Sequence, residues 1–543
     1  VVSVGLLVSV HRLISYRAAV ASIQNHTGYR VFINPASILS SIIPRIKGFT
    51  LGGNFAFDQK YEPFKQAGWD VVSVVSVWPA VVTTMFVADA ALIKEITSSR
   101  HHWPKPAYIY RSLTFFGKNI VASEGEDWKR YRKVTAPAFS DRNNRLVWDE
   151  TCRIMQDLFD NIWGNKDEIM LHHCVDVTLQ ACSSLNSDYI HLIFPLGFGR
   201  RVPLIDDLTI PEGHRLTFKD ALHIVSTGTP AKIIFPKWMM SLTAGLVKVQ
   251  LGFDELHAYM LEMVQAGLAD RVKEERHDLF GNLLAANDED VEVNLSISEV
   301  VGEMFTPFPP SSQNLTYTDS TGNAFIYQLA GHETTAHTLA FAFAMLALYP
   351  DEQEKLYEHV KNVLPVDRPP VLRLFPSISD LHLSLSISSL AFYEMPHPTC
   401  QIPAIPKICT WDTVITTTNG VGERKAIPVQ KGTYIVLDAP AVHYNPRYWE
   451  NPHDFKPERF LKDWPRDGFM AFSAGARGCV GRKFAETEGI AILTLMVSRY
   501  RIELADEPEL RHETIEQARM RLTTARFKLG VLTLVSYTYC ERC

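Results

Sequence analysis

Residues 472–481 read Phe-Ser-Ala-Gly-Ala-Arg-Gly-Cys-Val-Gly, and a helix-forming stretch, Lys483 to Tyr500, follows directly. Three glycines within seven residues (Gly475, Gly478 and Gly481) let a backbone turn tightly and approach a flat partner closely. A cysteine at the start of a helix has its thiolate favoured by the free N–H groups and by the helix dipole. Cys479 is therefore predicted to present a bare, oriented thiolate. Arg477, two residues earlier, keeps its charge at any pH and can pair with a carboxylate. The competing reading is a buried structural cysteine beside a glycine-rich turn. Against it, Phe472, Gly475, Arg477, Cys479 and Gly481 would fall into the pattern FxxGxRxCxG by accident in about one chain in ten thousand of this length.

The chain around this loop has 543 residues, 46% hydrophobic and 21% charged, with a net charge of -6. That is enough chain for a large core, and without a basic run it lacks the electrostatic footprint of a nucleic-acid partner. The eight cysteines are scattered, with no paired CxxC units of zinc-site spacing; Cys540 and Cys543 form a lone CxxC. A reducing, intracellular compartment fits this usage. The apolar stretch Val1 to Val10, followed by His11, Arg12 and Arg17, reads either as the end of a membrane anchor or as a buried N-terminal helix.

To about Val87, short alternating runs such as Trp69 to Trp78, broken by Pro and Gly, predict strands and hairpins. From Asp89, a plausible N-cap, helical patterns dominate: Leu251 to Val272 is amphipathic, and Phe325 to Leu348 is apolar and Ala-rich. Strand patterns return at Ile405 to Ile415 and Lys431 to Leu437. The fold class is mainly α with a smaller β part.

Three further segments carry chemistry. Ala330-Gly331-His332-Glu333-Thr334-Thr335 puts an acid and a hydroxyl into a helix otherwise made of Leu, Phe and Ala, where polar groups are costly unless used or paired. Taken alone, it also fits a threonine back-bonded to its helix beside a solvent-facing glutamate. Trp128 and Arg132, four apart, share one helical face, where an indole N–H and a guanidinium can reach the same anion. Pro457-Glu458-Arg459-Phe460 is the third.

Together these segments, in this order, resemble the cytochrome P450 family, in particular its eukaryotic, fungal-like microsomal members. The resemblance is densest over residues 323–500 and implies the P450 fold over 30–535. It implies that Cys479 is the axial ligand of heme b, with Phe472, Gly475 and Gly481 shaping the haem loop. Trp128, Arg132, Lys407 and Arg477 would hold the haem propionates. Glu333 and Thr334 would relay protons to dioxygen, and Gly331 would make room for it. The implied reaction is insertion of one oxygen atom into a lipophilic substrate, with electrons from NADPH through NADPH-cytochrome P450 reductase. An N-terminal anchor in the endoplasmic reticulum membrane, with the catalytic part on the cytosolic face, follows by the same resemblance, as does a pocket lined near Phe115–Val121, Phe218–Val225 and Phe325–Thr335. A haem-thiolate isomerase or dehydratase is the rival enzyme; the intact Glu333–Thr334 pair argues against it.

The chain departs from the family in several places. The ExxR pair is broken in both candidate copies: His397 follows Glu394 with Pro396 between, and Pro370 stands where Glu should precede Arg373. Arg459 would then lack its usual partners, at a cost of several kcal/mol if buried. Residues 303–322 and 183–195 read as insertions, residues 1–29 as an anchor remnant and linker, and 536–543 as an atypical tail. These departures support the alternative of an inactive or misassembled P450-like product.

Overall fold

The computed structural model describes residues 2–164, 168–171, 210–270, 322–363, 402–461, 463–504, 512–522, 525–528, 531–534 and 538–542. In chain order the principal elements are α1 (Val2–Ser22), β1 (Gly28–Ile33), β2 (Val71–Trp78), β3 (Val82–Val87), α2 (Ala90–Ser98), α3 (Gly125–Thr135), α4 (Asp141–Asp157), β4 (Glu168–Leu171), α5 (Phe218–Ile234), α6 (Ala244–Asp270), α7 (Gly322–Leu348), α8 (Pro350–Val363), β5 (Ala404–Ile408), β6 (Thr413–Thr418), β7 (Arg424–Val429), β8 (Tyr434–Asp438), α9 (Arg482–Arg499), β9 (Tyr500–Glu503) and β10 (Thr538–Arg542). The chain divides into two compact units. One holds Val1–Pro106, Tyr393–Cys479 and Gly530–Thr533; the other holds Ala107–Phe392, Val480–Leu529 and Leu534–Cys543.

The first unit carries most of the strands. Its five-stranded sheet runs β1-β2-β3-β8-β5, with β1/β2 and β3/β8 parallel and β2/β3 and β5/β8 antiparallel; β6 and β7 form a separate hairpin. Alternation in Trp69–Trp78 predicts a half-buried strand, but Val71 to Ser76 are all buried. The reason is that β2 has a strand on each edge and apolar side chains over both faces, which removes the solvent face that alternation presumes. Its two serines are satisfied locally: Ser73 Oγ donates to the His26 carbonyl at 2.8 Å and Ser76 Oγ to the Val82 carbonyl at 3.3 Å. Along α1, Leu6, Leu7, Leu13 and Ile14 are exposed, whereas Tyr16, Ala19 and Val20 pack against the core. Among the described residues no helix is long and apolar enough to cross a membrane.

A buried polar knot ties this unit together. The Asp70 carboxylate, fully buried, accepts from Tyr61 Oη at 2.6 Å, from Arg447 at 2.6 Å and from Asn445 Nδ2 at 3.1 Å. Arg447 also donates to the Thr418 carbonyl at 2.7 Å and to Tyr448 Oη at 2.8 Å, and stands 3.9 Å from Asp89. Asp89 is the expected cap of α2, accepting from the Ala91 and Leu92 N–H groups.

Helices dominate the second unit. α7 is buried on all sides from Ala336 to Leu346, as its all-round apolar sequence requires. α5 and α6 cross where Gly228 and Gly252 remove side chains: a Cβ on Gly252 would lie 2.4 Å from Ile224 Cγ2, and one on Gly228 2.8 Å from Val249 Cγ2. α6 starts at Ala244, seven residues before the amphipathic pattern becomes legible. The Gln353 side chain of α8 donates to the Ile502 carbonyl at 2.9 Å and accepts from its N–H at 2.7 Å, pairing with β9 as a strand would. Thr538–Arg542, read from sequence as an atypical tail, is the middle strand of a three-stranded sheet, antiparallel to both β4 and β9. The segments 183–195 and 303–321 lie outside the described residues.

Candidate functional site

The glycine-rich loop folds as the spacing of its residues demands. Gly475–Arg477 make a single 3-10 turn, entered through positive φ at Ser473 (60°) and Gly475 (66°). The turn is closed by its own backbone, with Gly478 N–H donating to the Gly475 carbonyl and Cys479 N–H to the Phe472 carbonyl, both at 2.9 Å. Gly475 could be no other residue. Besides its left-handed φ, a Cβ there would lie 2.5 Å from the Thr97 carbonyl near the end of α2. Thus α2, capped by Asp89 in the polar knot, presses on the back of the turn.

At the far end of this turn Cys479 is exposed and in no disulfide, the opposite of a buried structural thiol. α9 starts three residues later with Gly481 as its N-cap, and no side chain caps its first turn. Phe472 and Arg477 are partly buried beside the loop. Elsewhere in the same unit Lys407, on β5, is buried at 4% exposure. The other described free thiols differ: Cys152 and Cys409 both have their pKa raised, chiefly by burial, and are poor thiolates.

In the helical unit, Trp128 and Arg132 lie one turn apart on α3, the indole buried and the guanidinium partly so. α3 is tied to α7 by Tyr327 Oη, which donates to Thr135 Oγ1 at 2.7 Å; that hydroxyl donates in turn to the Tyr131 carbonyl at 2.8 Å. Gly331, Glu333 and Thr334 all lie on α7. Thr334 Oγ1 donates to the Ala330 carbonyl at 2.6 Å, the back-bonded state, which leaves its lone pairs available to accept.

The structure thus brings Phe472, Gly475, Arg477 and Cys479 into one loop, Trp128 and Arg132 onto one helical face, and Gly331, Glu333 and Thr334 onto one helix. Arg459 is partly exposed and donates to the carbonyl oxygens of Glu450 and Asp454, both at 2.9 Å, and of Asn451 at 3.4 Å. The pieces of the broken ExxR motif, Arg373, Glu394 and His397, lie outside the described residues. Sequence reading missed Thr97 and Tyr327, because neither sits in a motif and both act through partners remote in the chain.

An exposed cysteine on a glycine turn, with Arg477 two residues before it, suits a flat iron macrocycle that carries carboxylates. The donor set fits haem. The family model for cytochrome P450 matches residues 56–529. Cytochrome P450 monooxygenase 124 of Postia placenta is 42% identical over 97% of this chain and 95% of the relative, and cytochrome P450 monooxygenase ORF6 of Penicillium roqueforti is 27% identical over 89% and 85%. The cytochrome P450DA heme domain matches the fold with a TM-score of 0.67 at 18% identity, covering 91% of this chain and 94% of that one. With the cysteine loop, the α7 segment and these matches in agreement, the chain belongs to the cytochrome P450 family.

Proposed function

We propose that this chain is a monooxygenase that inserts one atom of dioxygen into a lipophilic substrate, with Cys479 ligating haem iron and electrons arriving from NADPH through a partner reductase. The observation that carries the reading is the loop geometry: an exposed Cys479, its N–H bonded to Phe472 and its turn pressed against Thr97 at Gly475. Bound haem supplies the activation of dioxygen, since a thiolate ligand pushes electron density to the iron and favours O–O cleavage.

The chain's own residues do the rest. Cys479 is kept as a thiolate by its place before the uncapped first turn of α9. Arg477, Lys407, Trp128 and Arg132 would hold the haem propionates, and Phe472, Gly475 and Gly481 would shape the haem loop. On α7, Thr334 Oγ1 donates to the Ala330 carbonyl and keeps its lone pairs to accept a hydrogen bond, and Glu333 and Thr334 would together pass protons on to dioxygen. Gly331 leaves space beside them. Aromatic and aliphatic side chains around Phe115, Phe116, Phe218 and Phe325 exclude water and favour a lipophilic substrate. A location on the cytosolic face of the endoplasmic reticulum membrane is part of this proposal, supported by the apolar, exposed first half of α1 followed by basic residues.

The test is the reduced carbon monoxide difference spectrum of the full chain beside Cys479→Ala. A Soret band at the long-wavelength thiolate position, lost in the variant, is the expected result. Haem bound with an unchanged band in Cys479→Ala would overturn the ligand assignment, and failure to incorporate haem would point to the inactive alternative.

A further inference from the structure

The loop before α3 is held by two asparagines, both fully buried. Asn119 organises it from within. Its amide donates to the Leu113 carbonyl at 2.8 Å and the Gly117 carbonyl at 3.2 Å, and its oxygen accepts from the Val121 and Ala122 N–H groups at 3.1 and 3.0 Å. The amide between those contacts, Ile120 N–H, goes elsewhere. It donates to Oδ1 of Asn323, in the first turn of α7, at 2.9 Å and across 203 residues of chain.

What this clamp fixes is an aromatic wall. Phe116 packs on Phe325 of α7 with ring centroids 4.7 Å apart and stacks on Phe253 of α6 at 5.7 Å, while Phe115 meets Phe253 edge-on at 5.2 Å. Phe115, Phe116, Phe253 and Phe325 are each at least 92% buried, so their position is set by packing once the loop backbone is set. Phe325 precedes Gly331 by six residues on the same helix, about 9 Å along its axis. A shift of the loop relative to α7 therefore moves the wall relative to the oxygen-handling residues.

We propose that Asn323 is a positioning residue for the oxygenation reaction: by holding the Ile120 amide, its side-chain oxygen locks the loop Leu113–Ala122 and the Phe115–Phe116 wall to the helix that carries Gly331, Glu333 and Thr334. A buried backbone N–H that loses its acceptor either stays unpaired at a cost or pulls the loop toward another partner. In both cases the wall loosens, while the cysteine loop, built from its own backbone contacts, is untouched. The functional half of this inference rests on the oxygenase reading; the clamp itself does not.

Asn323→Ala and Asn323→Asp test it in the full chain. Aspartate keeps an oxygen acceptor, and a carboxylate in the first turn of a helix is favoured by the dipole. Two readouts are compared: amide hydrogen exchange at Ile120, which needs no haem, and Soret titrations of the holoprotein with imidazole and with 4-phenylimidazole. In Asn323→Ala the Ile120 amide should exchange about tenfold faster or more, the fold-change that follows loss of one buried hydrogen bond. The dissociation constant for 4-phenylimidazole should rise by a similar factor while that for imidazole, which has no phenyl group to meet the wall, stays within about twofold. Asn323→Asp should restore both. Unchanged exchange at Ile120 overturns the clamp; equal shifts for the two azoles, or no rescue by aspartate, overturn the positioning role. A chain that takes up no haem defeats the oxygenase reading and leaves the exchange arm to decide the clamp.

Discussion

Replacing Arg447 by methionine should be among the most damaging single changes outside the haem loop. The change leaves the stem of the side chain and removes every donor, so the fully buried Asp70 carboxylate loses its cationic partner at 2.6 Å. Removing one member of a buried ion pair costs about 3–5 kcal/mol. Tyr61 Oη at 2.6 Å and Asn445 Nδ2 at 3.1 Å remain to solvate Asp70, which places the loss near the lower end, about 3 kcal/mol at neutral pH. The pH dependence carries a sign. Burial already raises the Asp70 pKa, against the pull of Tyr61, Arg447 and Asn445, and deleting the guanidinium raises it further. A carboxyl with a raised folded pKa binds its proton more tightly when folded, so stability falls as pH climbs from the ordinary Asp range toward the raised value. The deficit of Arg447→Met should therefore be largest at neutral pH and shrink on acidification. Urea unfolding followed by circular dichroism at pH 7.5 and pH 5 measures it. The double variant Asp70→Asn, Arg447→Met should recover part of the loss, since it removes the unpaired charge. A deficit below about 1 kcal/mol at neutral pH, or one that grows on acidification, refutes the reasoning. Because the knot fixes Asp89 and hence α2 behind Gly475, haem content per chain should fall with stability in this variant.

Gly475→Ala should abolish most haem binding while leaving the helical unit folded, because its Cβ would strike the Thr97 carbonyl and its φ of 66° is strained for any other residue; Soret absorbance normalised to secondary-structure content reads this. Gly252→Val places a branched side chain where Ile224 already sits, and overpacking of this kind costs about 1–3 kcal/mol, visible as a lower urea midpoint. Glu488 is fully buried on α9 with neither carboxylate oxygen hydrogen-bonded, and burial holds its pKa well above the ordinary value. The unfolded chain ionises first as pH rises, so the wild type loses stability with increasing pH; Glu488→Met should be the more stable protein at pH 8, its advantage disappearing near pH 4, as paired unfolding curves would show.

Much of this protein is written locally in its chain. The Cys479 turn could be read because its glycines, Arg477 and the following helix lie within 30 residues of one another, and local spacing determines the turn, the exposed thiol and the uncapped helix start. The same holds for α7, whose apolar composition dictates burial on all sides, and for the Asp89 cap, whose side chain needs only the N–H groups two and three residues on. Tertiary structure alone decided what joins remote segments. Asp70 meets Arg447 across 377 residues, Gln353 pairs with Ile502 across 149, and Ile120 meets Asn323 across 203. No periodicity encodes such pairs, since each depends on where two buried backbones come to rest. The same limit explains β2, whose serines look like a solvent face until neighbours close over it. Patterns along a chain report which face of an element is apolar; they do not report which polar group will be buried opposite which, because that is settled only when the faces meet and every buried donor must find an acceptor.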